Sequence, residues 1–468
     1  MDEKRERITS KLRLAAELLA FAGIALFFVS PLAELFHRMI ANALSDGLYF
    51  PDKVEGFDPN ENLNDIVLYQ SLISNIKDII SLAVKLIYLC IAIGVVLNIQ
   101  KFKTMWKKYL KALLPLIIFG AFSLAIYVLA HIRGVTETDI YGGDYKFESM
   151  YSYMSYPFVY FVLGLVLVKS KYKRVLLYIF TLSALPLHIL AICDTFFFPV
   201  KYFIGYRVSS IFHSANHYGY YLVLLVLASA GMFVYEKKKS LKALNLVVLI
   251  IESAVLVFND SLGAFLAILA GFGVFTIYAF KAEKEKLKLV LVADIVFLVV
   301  TTLCSLKEKS LFVSFIQTFF DVGNIIENNE KADNAGTGRW ATWKGTVHYI
   351  IQKPVCGWGT EETKIRYNLN WPHNDILQYA LYYGIPTAVL YTSAVGTIFL
   401  RLTKQLKKIP PFARICYLAA GALFVNTMVG NSMYYISPMF YCFLGLAYSG
   451  CMHEMISGQS SDKSNIAE

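Results

Sequence analysis

The sequence predicts an all-α membrane protein, a polytopic bundle of about twelve transmembrane helices with one large extracytoplasmic loop between spans 9 and 10. The 468 residues are 57% hydrophobic and only 17% charged, with a mean hydropathy of +0.52. Apolar runs of roughly 17–25 residues, the length that crosses a bilayer, recur along the chain. Basic residues concentrate in alternate short loops, which is the positive-inside pattern.

Each predicted span is an apolar run bounded by polar or charged residues. The loops predicted inside carry four or five Lys or Arg each, and the outer ones are richer in acidic residues. We therefore expect a multi-pass protein of the cytoplasmic membrane with both termini in the cytoplasm. The predicted spans cover residues 14–30, 79–97, 113–130, 151–168, 175–193, 217–235, 244–258, 264–280, 289–306, 376–400, 415–429 and 438–452.

The span pattern predicts a single polytopic domain over residues 1–468, with an outer loop at 307–375 and a cytoplasmic tail at 453–468. Residues 32–44 are expected to lie as an amphipathic helix on the membrane surface. The first apolar run lacks a small-residue cleavage site and is interpreted as an anchor. The net charge of +10 is explained by the inner loops, which excludes nucleic acid as a partner. Seven scattered cysteines without a CxxC pair argue against a disulfide framework or a metal site.

The segment from Gly336 to Gly384 combines basic residues, tryptophans, a histidine and glycine turns, and it holds most of the candidate functional residues. Thr337 or Asn334 is predicted to cap a helix that enters at Gly338 and is stopped by Pro354. An arginine at a helix N-terminus opposes the macrodipole, so its placement favours a docking anion. The alternative is a surface helix whose cations reach toward water. An apolar stripe on that helix, predicted to lie on the outer membrane surface or over the mouth of the bundle, comprises Trp340, Trp343, Val347, Ile350 and Ile351.

His373 stands in WPHND, directly before the predicted tenth span. Asn374 or Asp375 can cap that helix, whose N-terminal amides favour phosphate. A histidine near neutral pH is a natural proton acceptor. The alternative is a structural role for His373, as a capping or interfacial histidine.

Further candidates flank these two residues. A glycine turn at Cys356–Thr360 can fold the loop back, and Lys344, Lys364 and Arg366 add positive charge. Upstream, Arg207 is another outward cation, and Asn216 begins the sixth span; both also fit an ordinary capped loop.

Three charges, Lys85, Glu252 and Asp294, fall inside predicted spans, where pairing between them or a functional role is possible. No DxD pair and no cluster with ligand spacing occurs, so a metal-dependent transferase is disfavoured and no cofactor is expected.

The order of these elements resembles the O-antigen ligase and O-antigen polymerase superfamily. The likeness rests on Gly338-Arg339, the GWG turn at 357–359, PHND followed by LQ and YYGIP at 372–386, and the upstream GYRVSSIFHSANHYGYYL at 205–222. The family often has Ser-Arg-Gly at the outer turn before the eighth span. Here Leu262 stands at the arginine position, so one basic contact to the donor is missing.

The resemblance implies a metal-independent, inverting glycosyltransferase acting on undecaprenyl-diphosphate-linked glycans in polysaccharide biosynthesis. It implies Arg339 and His373 as catalytic, and Arg207, Asn216, Trp343, Lys344, Arg366 and Asn374 as substrate-binding. The implied partners are a lipid-linked oligosaccharide donor, a glycan or lipid-glycan acceptor, and export or chain-length-control proteins of a capsule or exopolysaccharide system.

A polymerase is favoured over a ligase, although the sequence does not separate the two. A different class, a lipid-linked oligosaccharide flippase or transporter, predicts essential midplane charges and a dispensable outer loop. The absence of an internal repeat disfavours it. A structural subunit of a polysaccharide complex needs neither feature.

Overall fold

The computed structural model describes residues 2–44, 63–142, 149–167, 172–197, 210–212, 214–307, 309–327, 331–367, 371–430 and 436–457. Every regular element in these ranges is helical, as the composition predicts. Among the described residues, nine helices are long and apolar enough to cross a membrane. Two shorter apolar helices, Met150–Val166 and Ile436–Met452, lie beside them. The chain is therefore a polytopic membrane bundle.

The first half of the chain follows the predicted order of spans, with two additions. A 14-residue amphipathic helix stands where a basic inner loop is expected, and a five-residue helix follows the third span. The helices are α1 (Asp2–Leu44), α2 (Leu63–Leu97), α3 (Ile99–Ala112), α4 (Leu114–Arg133), α5 (Glu137–Tyr141), α6 (Met150–Val166), α7 (Lys173–Phe196), α8 (Ala215–Tyr235) and α9 (Lys239–Asn259).

The second half carries the predicted outer loop as a set of short helices. A 3-10 turn, Ala332–Asn334, lies shortly before the helix that begins at Arg339. The helices are α10 (Leu262–Ala282), α11 (Lys284–Ser305), α12 (Ser310–Glu327), α13 (Arg339–Gln352), α14 (Thr360–Tyr367), α15 (Asp375–Tyr383), α16 (Ile385–Gln405), α17 (Pro411–Thr427) and α18 (Ile436–Ser457).

The predicted surface helix at 32–44 is wrong, because α1 continues without a break through this segment. Glu34 and Arg38, one turn apart, form an ion pair of 2.8 Å that is buried against the bundle. A segment whose charges are paired inward is part of the packed bundle and does not lie on a leaflet.

The predicted tenth span at 376–400 is also wrong in its boundaries. Gly384 interrupts it with a left-handed φ of 87°, so that α15 ends at Tyr383 and the membrane-length helix begins at Ile385. A Cβ at Gly384 would lie 1.9 Å from the carbonyl oxygen of Val355, so only glycine permits this contact. His373 therefore precedes a nine-residue helix and not the span itself.

Helix α8 lies at the centre of the bundle, with every residue from Tyr218 to Val234 buried. Elsewhere, α6 and α18 cross with their backbones in contact. A Cβ at Gly164 would meet the backbone nitrogen of Leu446 at 2.4 Å, and one at Gly445 would meet the oxygen of Phe161 at 2.3 Å. Small residues at such crossings are the usual means of close packing between membrane helices. This rigid bundle supports the outer helices.

Candidate functional site

Arg339 is the first residue of α13 and follows a tight left-handed turn. Gly336, Thr337 and Gly338 all have positive φ, from 59° to 83°. Gly338 is the N-cap and no side chain caps the helix, so the predicted capping by Thr337 or Asn334 is wrong. The Asn334 backbone oxygen instead accepts a hydrogen bond from the Gly338 amide at 3.1 Å. Among the described residues, the guanidinium of Arg339 forms no hydrogen bond or ion pair.

His373 lies beside Arg339, because α13 packs against the loop that precedes α15. Trp343, one turn after Arg339 on the same helix face, donates from Nε1 to the Pro372 oxygen at 2.7 Å. Burial lowers the pKa of His373 to about 4, and the nearby charge of Arg339 adds to this effect. The ring is therefore neutral at neutral pH and within electrostatic reach of the arginine.

The next residue, Asn374, fixes the direction in which the loop enters α15. Its Oδ1 accepts from the Leu377 amide at 3.0 Å, which confirms the predicted cap. Its Nδ2 donates to the Met428 oxygen at 2.9 Å, just beyond the end of α17. Both polar atoms of this side chain thus bond within the protein. His373 itself has a φ of 51°, a left-handed conformation that is uncommon for a residue with a Cβ.

The glycine turn at 356–359 folds the outer loop back onto the C-terminal end of α15. The amide of Trp358 donates to Leu381 at 2.8 Å, and that of Gly359 donates to Tyr382 at 3.0 Å. A Cβ at Gly357 would lie 2.5 Å from the Tyr382 backbone, so the turn needs glycine there. These bonds satisfy carbonyl groups that the last turn of a helix leaves without partners.

A buried ion pair between Arg133 and Asp139 joins this turn to the first half of the bundle. The two side chains are 7% and 10% exposed and lie 3.5 Å apart. Arg133 donates to the Tyr382 oxygen at 2.8 Å. Asp139 Oδ1 accepts from the amide and hydroxyl of Thr360 at 3.2 and 3.1 Å, at the start of α14. The outer loop is therefore anchored to the segment between α4 and α6.

Sequence reasoning missed the role of Arg133. The available signal was an arginine at the outer end of the third span, where the charge pattern predicts few basic residues. An outward arginine near an acidic residue six positions later suggests a local ion pair. Its further bonds to residues more than 200 positions away are not visible in the sequence.

The other predicted substrate-binding residues form no described hydrogen bond or ion pair with this group, or they lie outside the described residues. Asn216 is the second residue of α8, behind the N-cap Ser214. Lys344 is exposed on α13 and forms an ion pair with Asp333. Arg366 belongs to α14, but its side chain is outside the described residues, as is all of Arg207. The structure thus brings together Arg339, Trp343, His373 and Asn374.

The charges inside the spans do not pair with one another in the part of the chain that the structure describes. Glu252 is fully buried and accepts from the Ser229 hydroxyl at 3.1 Å. Asp294 accepts from the Thr276 hydroxyl at 2.5 Å, and Lys85 is exposed on α2. The predicted pairing of Lys85 with either acid is therefore absent. Among the described residues, no group of three His, Cys, Asp or Glu side chains is arranged to hold a metal ion.

A family model described as O-antigen ligase matches residues 246–392. The matched segment runs from within α9 to within α16 and includes the whole Arg339–His373 region. The resemblance noted from the sequence is confirmed over this segment. The family comprises membrane enzymes of the ligase and polymerase type that act on lipid-linked glycans. A search of curated proteins finds no match to this chain.

Proposed function

We propose, on the premise that residues 246–392 carry the O-antigen ligase family domain, that this membrane protein is an inverting, metal-independent glycosyltransferase. It transfers or polymerises glycans linked to undecaprenyl diphosphate at the outer face of the cytoplasmic membrane. The observation that carries the proposal is that Arg339 lies near a neutral His373. The hydrogen bond from Trp343 to Pro372 holds the two segments together.

Arg339 binds the diphosphate of the donor lipid. As the glycosidic bond breaks, negative charge grows on the leaving diphosphate, and a preorganised cation stabilises it. The planar guanidinium presents two parallel N–H groups to two phosphate oxygens. Because no described acid pairs with Arg339, its charge is directed to the ligand.

His373 is the general base. A hydroxyl oxygen of the acceptor sugar attacks the anomeric carbon, and the bond from that carbon to the diphosphate oxygen breaks with its electron pair. The proton of the hydroxyl passes to the imidazole, which is neutral at pH 7. Nδ1 is buried without a hydrogen-bond partner among the described residues, which leaves Nε2 for the acceptor. Attack opposite the leaving group inverts the anomeric centre.

The remaining site residues are assigned supporting roles. Trp343 holds the histidine loop and stacks its ring on a sugar face, and Lys344 adds positive charge at the headgroup level. Asn374 sets the position of His373. Arg207, Asn216 and Arg366 remain candidates for contacts with donor or acceptor.

The topology that this activity needs has twelve spans, formed when α6, α17 and α18 join the nine long apolar helices. With both termini in the cytoplasm, residues 307–375 form the extracytoplasmic catalytic loop of one polytopic domain, and residues 453–468 form the cytoplasmic tail. The charge asymmetry of the loops supports this orientation. Export and chain-length-control proteins are the expected partners.

A polymerase is favoured over a ligase, and the product distinguishes them. Purified protein in proteoliposomes would receive a short lipid-diphosphate oligosaccharide in the presence of a chelator. A ladder of products means polymerase, and a single addition to a foreign acceptor means ligase. Retention of the anomeric configuration, or dependence on a metal, would contradict the mechanism.

The rival function is a lipid-linked oligosaccharide flippase or transporter. It places the essential charges in the membrane, at Lys85, Glu252 and Asp294. The hydrogen bonds of Glu252 and Asp294 to neighbouring hydroxyls fit structural roles and favour the enzyme.

A further inference from the structure

Helix α12 carries a wide apolar face that nothing in the described protein covers. Plotted at 100° per residue, this face spans an arc of about 140°, which also contains Gly323 and, at the last position of the helix, Glu327. Its residues range from 42% exposed at Ile316 to 78% exposed at Ile326. Such a large contiguous apolar surface on a single helix marks a site of interaction. The face consists of Phe312, Val313, Ile316, Phe319, Phe320 and Ile326.

The other two sides of α12 have protein partners. One side packs on the bundle: Leu311 is buried, and the ring of Phe315 lies edge-on to Phe265 of α10 at 5.8 Å. The second side is polar, with Gln317 Nε2 donating to Asp321 Oδ1 at 3.0 Å. A helix with a bundle side, a polar side and a bare apolar side has the pattern of an interfacial helix.

The bare face continues the lipid-facing surface of the neighbouring span. Helix α11 ends at Ser305, and its last apolar residues point outward, with Leu303 60% and Leu306 70% exposed. Helix α12 begins only five residues later, at Ser310. Only residues 306–309, three of which are charged, separate the outward-facing end of α11 from the bare face of α12.

We propose that α12 lies in the outer leaflet of the membrane and that its apolar face inserts between lipids at the boundary of headgroups and acyl chains. Phenylalanine and isoleucine side chains suit this depth, which is about 5–10 Å for interfacial helices. The polar side of α12 then faces water, and the bundle side faces α10.

This contact fixes the height of the turn that precedes Arg339. Asp321 Oδ2, on the polar side of α12, accepts from the amide of Gly336 at 2.8 Å. Gly336 lies three residues before Arg339. A helix seated in the leaflet thus holds Arg339 at the level of the phosphate groups, a consequence that rests on the proposed function, whereas the lipid contact itself does not.

The test places a tryptophan on each side of α12. Phe320→Trp and the control Gln317→Trp would be reconstituted in vesicles of phosphatidylcholine and of its dibrominated form, whose bromines quench indole fluorescence. The native protein, with its five tryptophans, gives the baseline. We expect the brominated lipid to remove most of the emission added at 320 and little of that added at 317.

Equal quenching at both positions, or none at 320, would overturn the proposal. The proposal would also be overturned if the fluorescence of the tryptophan at position 320 changed with the ratio of protein to lipid but not with bromination. That result would assign the face to a second copy of the chain. If the tryptophan variant does not fold, a folded Phe320→Ser variant decides the same point by amide hydrogen exchange in vesicles. Because this variant loses lipid contact, the amides of α12 should exchange faster than those of the native protein. Absence of transfer by the native protein would sink the proposed function and leave the quenching result standing.

Discussion

The indole of Trp343 donates to the carbonyl oxygen of Pro372 at 2.7 Å, across 29 positions of the chain. Arg339 lies one turn before this indole, and His373 follows Pro372 directly. This hydrogen bond therefore joins the helix that carries the arginine to the loop that carries the histidine. Burial lowers the pKa of His373 to about 4, and the charge of Arg339 adds to this effect.

Trp343→Phe keeps the aromatic ring but removes this hydrogen bond. We expect kcat to fall about fivefold, because a typical hydrogen bond is worth about 1 kcal/mol and its loss loosens the two groups. The measurement is initial transfer rate in proteoliposomes at saturating donor. Trp106→Phe on α3, far along the chain from this site, is the matched control. An unchanged kcat in Trp343→Phe would contradict the role of the bond.

The pH profile of kcat/KM reports the pKa values of the catalytic groups in the free enzyme. Because the pKa of His373 is lowered to about 4, the base is neutral through the neutral range and becomes protonated only as the pH falls toward 4. We expect kcat/KM at pH 5.5 to 6 to stay close to its value at neutral pH. A histidine of ordinary pKa, about 6.5, would be largely protonated there.

The bound donor changes this titration. Its diphosphate offsets the positive charge of Arg339, which is the second cause of the lowered pKa. The acid limb of kcat, which reports the enzyme–donor complex, should therefore lie at higher pH than the limb of kcat/KM. Coincident limbs near 6.5 in both profiles would show that His373 is not the titrating base in this environment.

Gly384→Ala tests the break between α15 and α16. The left-handed φ of 87° and the contact with Val355 leave no place for a Cβ. We expect unfolding free energy to fall by at least about 1–2 kcal/mol from the backbone alone. Gly396→Ala on the same helix α16, where a Cβ meets nothing within 4 Å, is the control and should be neutral or stabilising. Equal thermal stability of the two variants in detergent would contradict the discontinuous helix.

Arg133→Ala removes one partner of a buried ion pair. We expect destabilisation of about 3–5 kcal/mol, because Asp139 is left buried without its cation. Arg13→Ala, in the half-exposed pair with Glu17, should cost no more than about 1 kcal/mol. Thermal unfolding gives the comparison, and limited proteolysis should show faster cleavage between 353 and 371 in Arg133→Ala. Identical unfolding and cleavage in both variants would rule out the anchor.

The membrane bundle was predictable because span length and charge asymmetry are strong local signals. The start of α13 within one residue of the predicted Gly338, its end before Pro354 and the cap at Asn374 followed from residue types whose local geometry is restricted. The predicted caps Thr337 and Asn334 failed because a run of left-handed residues, ending at Gly338, starts the helix by backbone geometry alone.

Contacts that depend on tertiary structure could not be predicted from the sequence. The break at Gly384 is hidden in an apolar run, and only its contact with Val355 shows why a glycine stands there. Arg133 bonds to carbonyl groups far along the chain, which have no sequence signature. The amphipathic character of α12 is visible in the sequence, but which of its sides remains bare depends on the packing of Phe315 against α10.

The most direct test of the central claim is glycan transfer in proteoliposomes by Arg339→Ala and His373→Ala. Their matched controls are Arg13→Ala and His348→Ala, whose native side chains are exposed, and Lys85→Ala tests the rival function. We expect that the two site variants fold and lose transfer by at least about 100-fold, as removal of electrostatic or acid–base groups does. Full transfer in both site variants, or loss only in Lys85→Ala, would contradict it.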